Sequence, residues 1–276
     1  MKNKKMLLNI EIIKCINQKE FKVVFSLMLL LVTLSYFIET FSVYGKNVMW
    51  LRSVAQNSFM IGLYSDNLFQ FYTFFFPLIC VSVYSMSFLQ ECQDGTAENY
   101  FIRMGYAKYI WSKALSVFLL TCFSIIIPML TNLFLCKMTF PLVGSDDNVL
   151  DNHFTEGIYQ EIFLGNIYEK HQVLYVIIMI LINGCLGGVL AILALGISML
   201  PALSNCNPYI FCIGFFIAFD GVSIVLQNFM FPKLNYAYYL NPFGNYNMIQ
   251  LVTFILFNVI IALLLLRKQS HREEYL

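Results

Sequence analysis

The chain has 276 residues, of which 59% are hydrophobic and only 12% carry a charged side chain. An average soluble domain has about 25% charged residues, so this composition excludes an ordinary soluble protein and indicates an integral membrane protein. The formal net charge of +1 gives the chain no bulk attraction to nucleic acid, and we expect no nucleic-acid partner.

Six apolar segments are long enough to cross a bilayer as helices, because a helix rises about 1.5 Å per residue across a hydrocarbon core about 30 Å thick. The predicted spans are residues 23–43, 68–89, 114–136, 173–200, 208–230 and 248–266. Their apolar residues run continuously instead of alternating with polar ones, which favours helices over barrel strands. The predicted fold class is therefore an all-α integral membrane protein.

Basic residues predict the orientation of these spans, because lysine and arginine accumulate in cytoplasmic segments. With both termini inside, twelve of the seventeen basic residues lie in cytoplasmic segments. The sequence therefore predicts a multi-pass protein of the cell (plasma) membrane with cytoplasmic N- and C-termini. Within one transmembrane domain over residues 1–276, we expect a cytoplasmic interfacial helix at 1–22, a six-span bundle at 23–266 and a cytoplasmic tail at 267–276.

The N-terminal segment has the pattern of a helix lying in the membrane interface. Leu8, Ile12, Cys15 and Ile16 share one helical face, and Lys14 is turned away from it. A basic start that only fixes the orientation of the first span is the alternative interpretation.

The most polar internal stretch is "QECQDGTAENYFIRMGYAKYIWSK", residues 90–113, between the second and third spans. Acids come first in it and bases follow, in the order Glu91, Asp94, Glu98, Arg103, Lys108 and Lys113. Asp94 can cap a short helix that begins at Thr96, and Tyr100 and Phe101 supply apolar contact. Such a segment can dock into the groove of a soluble partner. A solvated turn followed by an interfacial helix is the alternative.

Asp220 lies near the middle of the fifth predicted span. A charge at this depth costs about 3 kcal/mol on insertion scales, so its side chain should face protein or water and not lipid. One hypothesis places it on a translocation pathway or a subunit interface. The other makes it protonated, or hydrogen-bonded to Asn183 or Ser223 within the bundle.

Pairs of small residues four positions apart permit close helix approach within membranes. Gly184 and Gly188 form such a pair in the fourth span, and we interpret it as a packing feature. Gly214 and Ala218 form a second pair in the fifth span.

Two outer segments are also distinctive. The loop 137–172 has a formal charge balance of −4, which would favour cationic molecules, although a solvated surface explains the same charges. Residues 231–247 are rich in Tyr, Asn and Pro, and are interpreted as a partly re-entrant element that caps the outer mouth.

The six spans, the basic N-terminal helix and the polar stretch "EcqdGtaenyfirmGyakYiwsK" resemble the type-2 ATP-binding cassette (ABC) permease family. The stretch "YYLNPFGNYN" at 238–247 is similar to the Asn-Pro element that these permeases often carry before the sixth span. Nearly the whole chain is covered by the resemblance in its layout.

The resemblance implies that residues 91–101 form a coupling helix, which rests on a separate nucleotide-binding subunit. Glu91, Gly95 and Lys113 stand where the family pattern has its acid, glycine and base. The residues implied at the ATPase contact are Glu91, Gln93, Asp94, Gly95, Thr96, Ala97, Glu98, Tyr100 and Phe101. In this family the first and fifth spans contribute to the contact between two permeases, which would place Gly214, Ala218 and Asp220 at the dimer interface or pathway.

The resemblance implies a non-catalytic permease subunit of an ATP-driven exporter of apolar or amphipathic substrates such as peptides, drugs or lipids. No GxxxxGK[ST] loop occurs in the chain, so ATP and magnesium are expected in a partner ATPase. The other partners expected are membrane lipid and a second permease, identical or paralogous. We expect no catalytic or metal-binding residue in this chain, whose histidines are scattered.

Three alternatives stay open. A secondary transporter would be expected to show internal repeats around a midplane site, and none is convincing here. An intramembrane enzyme would need paired acids, a nucleophile with its base, or metal ligands at membrane depth. A polytopic membrane protein of another class is the third.

Overall fold

The computed structural model describes residues 2–47, 51–97, 102, 105–142, 162–203, 206–228 and 235–270. All regular structure in these ranges is helical, which confirms the predicted all-α class. In chain order the helices are α1 (Lys2–Asn17), α2 (Lys19–Val43), α3 (Val54–Asn57), α4 (Asp66–Tyr84), α5 (Ser87–Gln93), α6 (Tyr106–Thr139), α7 (Gly165–Lys170), α8 (Gln172–Ser198), α9 (Pro208–Asn228), α10 (Tyr236–Leu240) and α11 (Met248–Ser270).

Six of the described helices are long and apolar enough to cross a membrane, namely α2, α4, α6, α8, α9 and α11. The helix bounds differ from the prediction at several places. The N-terminal helix ends at Asn17 instead of residue 22, and α2 already begins at Lys19. Two further differences are larger. The segment predicted as the second span is divided into α4 and α5, because the helix breaks after Tyr84. The third span is the central part of α6, whose 34 residues measure about 51 Å and exceed the thickness of the hydrocarbon core.

An even number of spans places both ends of the bundle on one side, which we call the terminal face. Helices α1 and α5 lie there with the turn between α8 and α9. Gln93 Nε2 donates to the Cys206 carbonyl at 2.9 Å, and the Tyr209 hydroxyl donates to Glu20 Oε1 at 3.1 Å.

We call the opposite side of the bundle the distal face. Helices α3, α7 and α10 lie on it, and Phe163 N donates to the Gly244 carbonyl at 3.3 Å.

Helix α8 is the centre of the bundle. In the most apolar 18-residue stretch of α8, 67% of the residues are buried, whereas the corresponding share is 22% for α2 and 28% for each of α9 and α11. A Cβ atom built on Gly184 would lie 2.5 Å from Ile126 Cγ1, and one on Gly188 would lie 2.6 Å from Phe118 Cδ2. The missing side chains therefore let α6 and α8 approach closely, as the packing interpretation of these glycines predicts.

A buried asparagine fastens the distal loop between α2 and α4 to the bundle. Asn132 on α6 accepts from Phe59 N at 2.9 Å and donates to the Val32 carbonyl of α2 at 3.2 Å. Phe59 and Met60 both have positive φ, a conformation that costs a non-glycine residue about 1–2 kcal/mol. Asn132 therefore holds a strained turn in place.

The buried Glu39 of α2 stabilises the start of α4. Its Oε1 accepts from the backbone N–H of Tyr64 at 2.7 Å and of Ser65 at 2.8 Å. A negative charge is favourable beside the N-terminus of a helix, where amide groups lack intrahelical partners. A Cβ atom on Gly62 would lie 2.1 Å from the same oxygen, so only glycine fits there.

Candidate functional site

A buried cluster of charged and phenolic side chains joins α1, α5 and α6 at the terminal face, and we call it the Glu91 cluster. Glu91 Oε1 lies 2.5 Å from Lys14 Nζ, and Oε2 lies 2.6 Å from Lys113 Nζ. The Tyr109 hydroxyl donates to Oε2, and Lys113 Nζ also donates to the Tyr109 oxygen at 2.9 Å. Glu91 is only 4% exposed and Lys113 is fully buried, so the ion pair between them is shielded from water, whereas Lys14 reaches Glu91 from a partly exposed position.

A second acid completes the cluster. Glu11 of α1 is 2% exposed and accepts from the Tyr84 hydroxyl at 2.7 Å. The Lys113 ammonium lies 5.4 Å from the Tyr84 ring centroid and 5.1 Å from that of Tyr109, which adds cation–π attraction. Two lysines and two glutamates thus share one site, and their formal charges sum to zero. Such balance is what makes the burial of Glu11, Glu91 and Lys113 tolerable.

Helix geometry explains how the cluster is assembled. Tyr109 and Lys113 are four residues apart on α6, and Glu11 and Lys14 are three apart on α1, so each pair shares one helical face. The short helix α5 inserts Glu91 between these two faces. The site therefore depends on three elements that are distant in sequence.

The environment keeps Glu91 ionised. Burial acts to raise the pKa of its carboxyl group by disfavouring the charged form, but the Lys113 charge opposes it. Hydrogen bonds from Lys113, Lys14 and Tyr109 act in the same direction as that charge, and the pKa of Glu91 falls below its ordinary value. The lowered pKa favours the carboxylate form of Glu91, which joins α5 to α1 and α6 through its ion pairs.

The chain emerges into solvent directly after Glu91. Residues 92–96 are exposed, and we call them the exposed turn. Gly95 has φ +66, which is the left-handed conformation that glycine adopts without a Cβ penalty. The Thr96 hydroxyl donates back to the Glu91 carbonyl at 3.3 Å. The exposed turn is therefore short, shaped by Gly95, and rooted in the Glu91 cluster.

This geometry corrects the prediction of one helix over 91–101. Helix α5 ends at Gln93 with Asp94 as its C-terminal cap, and a turn at Asp94 and Gly95 interrupts the helix. The chain is helical again at Thr96 and Ala97, where the sequence predicts a short helix to begin, and Ala97 is buried. The Glu91 carboxylate points into the protein, so it is not part of an outward contact surface. The predicted contact residues Glu98, Tyr100 and Phe101 lie outside the described residues.

Sequence reasoning did not find most of the cluster. It turned Lys14 away from the apolar face of the N-terminal helix and gave no role to Glu11 or Tyr84. The family resemblance singled out Glu91 as an acid and Lys113 as a base of the pattern, but it did not pair them. The three- and four-residue spacings on α1 and α6 were visible in the sequence, but their common partner was not.

Asp220 lies at the other end of the bundle. It is half-buried on α9, and its Oδ1 accepts from the hydroxyl of Tyr236 on α10 at 2.5 Å. The predicted partners have other bonds: Asn183 donates to the carbonyls of Met179 and Leu240, and Ser223 donates to that of Phe219. The structure thus corrects the partner of Asp220 from these residues to Tyr236.

Gly214 and Ala218 do not meet Asp220. They are exposed on α9 and line an apolar groove of about 470 Å³ between α8 and α9, and Asp220 is not among the lining residues. Residues two apart lie about 200° apart around a helix, which separates Asp220 from Ala218. The pair and Asp220 therefore lie on different faces of α9 and line different pockets, and the placement of all three at a dimer interface or pathway stays a prediction.

Within the described ranges, no three His, Cys, Asp or Glu side chains are grouped as metal ligands would be. Comparisons of the chain with protein-family models, with curated proteins and with solved structures find no match.

Proposed function

We propose that the chain is the membrane-spanning subunit of an ATP-driven exporter, of the kind that type-2 ABC permeases form. The observation that carries the proposal is the Glu91 cluster, which fixes an exposed turn on the terminal face to α1 and to the spanning helix α6. A short exposed element that is rigidly tied to a spanning helix is what transmission of motion from a soluble partner requires.

The transmission follows from the contacts. A displacement of the exposed turn moves Glu91, whose two oxygens are bonded to Lys14 of α1 and Lys113 of α6. Gln93 carries the same displacement to the turn before α9, through its bond to the Cys206 carbonyl. Three parts of the bundle thus receive one movement, because buried ion pairs resist separation.

The partner ATPase would supply ATP, magnesium and the hydrolytic chemistry. A second permease copy or a paralogue would complete the pathway, with the apolar groove at Gly214 and Ala218 as the surface for that contact. The proposed cargo is apolar or amphipathic. In this arrangement the terminal face is cytoplasmic.

Co-purification tests this function. Tagged protein is extracted from its native membranes in mild detergent, and the eluate is assayed for ATP hydrolysis and for an associated ATPase by mass spectrometry. We expect an ATPase with the wild type, and at least a tenfold loss when Asp94 and Thr96 are both replaced by Lys, because two unpaired charges would be buried in the contact. Both residues are exposed, so the fold should survive.

The matched control is Asn166→Lys, which adds a charge to an exposed position on the distal face. It should retain the ATPase fully. Absence of an ATPase from the wild-type eluate would refute the proposed function. Equal retention by the Asp94→Lys/Thr96→Lys variant would refute the exposed turn as the contact.

A further inference from the structure

A cavity of about 320 Å³ lies between α4, α9 and α10 toward the distal face, and we call it the Asp220 cavity. Its described lining is Phe69, Gln70, Thr73, Phe74, Asp220, Ser223, Ile224, Asn235, Tyr236, Ala237 and Asn241. Seven of these side chains end in an amide, a hydroxyl or a carboxylate. Four of them, Gln70, Thr73, Asp220 and Ser223, lie on the spanning helices α4 and α9, where a polar group without a hydrogen-bond partner is costly.

The charge of the described lining is negative. Asp220 is its one acid, and none of the described lining residues is Lys, Arg or His. Tyr236 supplies one hydrogen bond to Asp220, whereas a carboxylate has about four lone-pair sites. The cavity therefore favours a cation over an anion or a neutral molecule.

The hydrogen-bonding groups that line the cavity indicate which kind of cation it can bind. Gln70 donates its amide to Asp66 Oδ2 at 2.7 Å, which leaves its carbonyl oxygen as an acceptor. The Ser223 hydroxyl donates its hydrogen bond to the Phe219 carbonyl, so toward the cavity its oxygen can act only as an acceptor. The Thr73 hydroxyl is buried without a hydrogen-bond partner among the described residues. A surplus of acceptors around a carboxylate matches a primary ammonium, which has three donors and no acceptor.

The volume of the cavity and its aromatic lining indicate what kind of group the ammonium is attached to. The volume equals that of about ten water molecules at about 30 Å³ each. Phe69 and Phe74 form an aromatic wall, and aromatic faces attract both cations and apolar groups. An ammonium group joined by a short linker to one aromatic ring fits this space.

We propose that the Asp220 cavity binds a primary ammonium group attached to an apolar body, held by Asp220, Thr73 and Ser223. Its role as a cargo site rests on the proposed function, whereas binding itself is a property of this chain alone. The same ammonium chemistry is offered by an amine cargo and by the headgroup of phosphatidylethanolamine.

The test uses full-length protein in nanodiscs whose only lipid is phosphatidylcholine, which carries no primary amine, and radiolabelled 2-phenylethylamine as the probe. An alkyl amine of this kind stays protonated at pH 7. We expect saturable binding that is at least tenfold tighter than that of 2-phenylethanol, the uncharged analogue. Asp220→Asn should weaken amine binding by about ten- to hundredfold and leave the weak binding of the alcohol unchanged.

Two further variants separate the site from the fold, and a third tests Lys233. Glu169→Gln removes a carboxylate that does not line the cavity, and it should bind the amine as the wild type does. Thr73→Val should weaken amine binding severalfold and is informative if Asp220→Asn does not fold. Lys233 is the nearest basic residue to Asn235 in sequence, and Lys233→Gln should leave the affinity unchanged. A large gain would show that lysine, and not an external amine, is the natural cation.

Equal binding of amine and alcohol to the wild type, or no binding of either, would overturn the proposal, whatever ATPase co-purifies. Nanodiscs that contain phosphatidylethanolamine distinguish the two sources of ammonium. If the headgroup occupies the cavity, the apparent affinity for 2-phenylethylamine falls in these discs for the wild type. Unchanged affinity assigns the cavity to an amine cargo.

Discussion

Removal of Lys113 tests the Glu91 cluster most directly. Lys113→Met keeps most of the side-chain volume but leaves Glu91 and Glu11 opposed by Lys14 alone, which creates a net negative charge in a buried site. Removing one partner of a buried ion pair costs about 3–5 kcal/mol. For a chain of this length, about 2 °C per kcal/mol converts this into a fall of about 6–10 °C in Tm.

The assay is thermal unfolding of purified protein in one detergent, followed by tryptophan fluorescence. Lys108→Met on the same helix is the matched control, because Lys108 is exposed, and its Tm should change by less than about 1 °C. The double variant Glu91→Gln/Lys113→Met restores charge balance between Lys14 and Glu11. It should be no less stable than Lys113→Met alone.

Two results would contradict this reasoning. One is a Lys113→Met protein as stable as Lys108→Met, which would mean that the ion pair contributes nothing. The other is a double variant destabilised by the sum of the two single changes, since groups that share a charge network should instead show a coupling of about 0.5–3 kcal/mol.

Three further predictions concern Glu91, the α6–α8 contact and the distal loop. Because the pKa of folded Glu91 is lowered, its stabilisation is fully present above the ordinary carboxyl pKa of about 4.3 and is lost as pH falls through the folded value. Glu91→Gln should therefore lower Tm at pH 7 and remove part of the acid dependence, and identical pH profiles would contradict this. Gly188→Val should lower the free energy of unfolding by about 1–3 kcal/mol, because the new side chain would overlap Phe118. Gly221→Ala is the control, since no atom lies within 4 Å of the new Cβ, and its Tm in the same assay should be unchanged or slightly higher. Asn132→Leu leaves the buried Phe59 amide without its hydrogen-bond acceptor and should lower the free energy of unfolding by about 1–3 kcal/mol. We expect faster proteolysis of the loop between α2 and α4, and a cleavage rate equal to that of the wild type would contradict this.

The number and type of spanning helices follow from the sequence because lipid permits few alternatives. A continuous apolar run of about 20 residues must form a helix to satisfy its backbone hydrogen bonds. The ends of helices are less constrained, since a helix can continue into water. For this reason α6 begins well before its apolar run, and α4 breaks within the run that predicted one span.

The candidate site was less predictable because its partners are remote in sequence. Lys14 and Glu91 are 77 positions apart, so a helical wheel drawn for either segment alone does not bring them together. The cost of placing Asp220 in the membrane predicts that its side chain has a partner, but it does not identify that partner as Tyr236. That residue lies on a short helix whose position depends on how the distal face packs.

The close contact at Gly184 and Gly188 restricts how this bundle can move. With Ile126 and Phe118 seated directly on the α8 backbone, sliding of α6 along α8 would drive side chains into main-chain atoms. The two helices should therefore tilt together as a single body, and shear should occur along the less embedded α2, α9 and α11. Since Lys113 belongs to that body, a push on α5 is delivered to the stiffest part of the molecule.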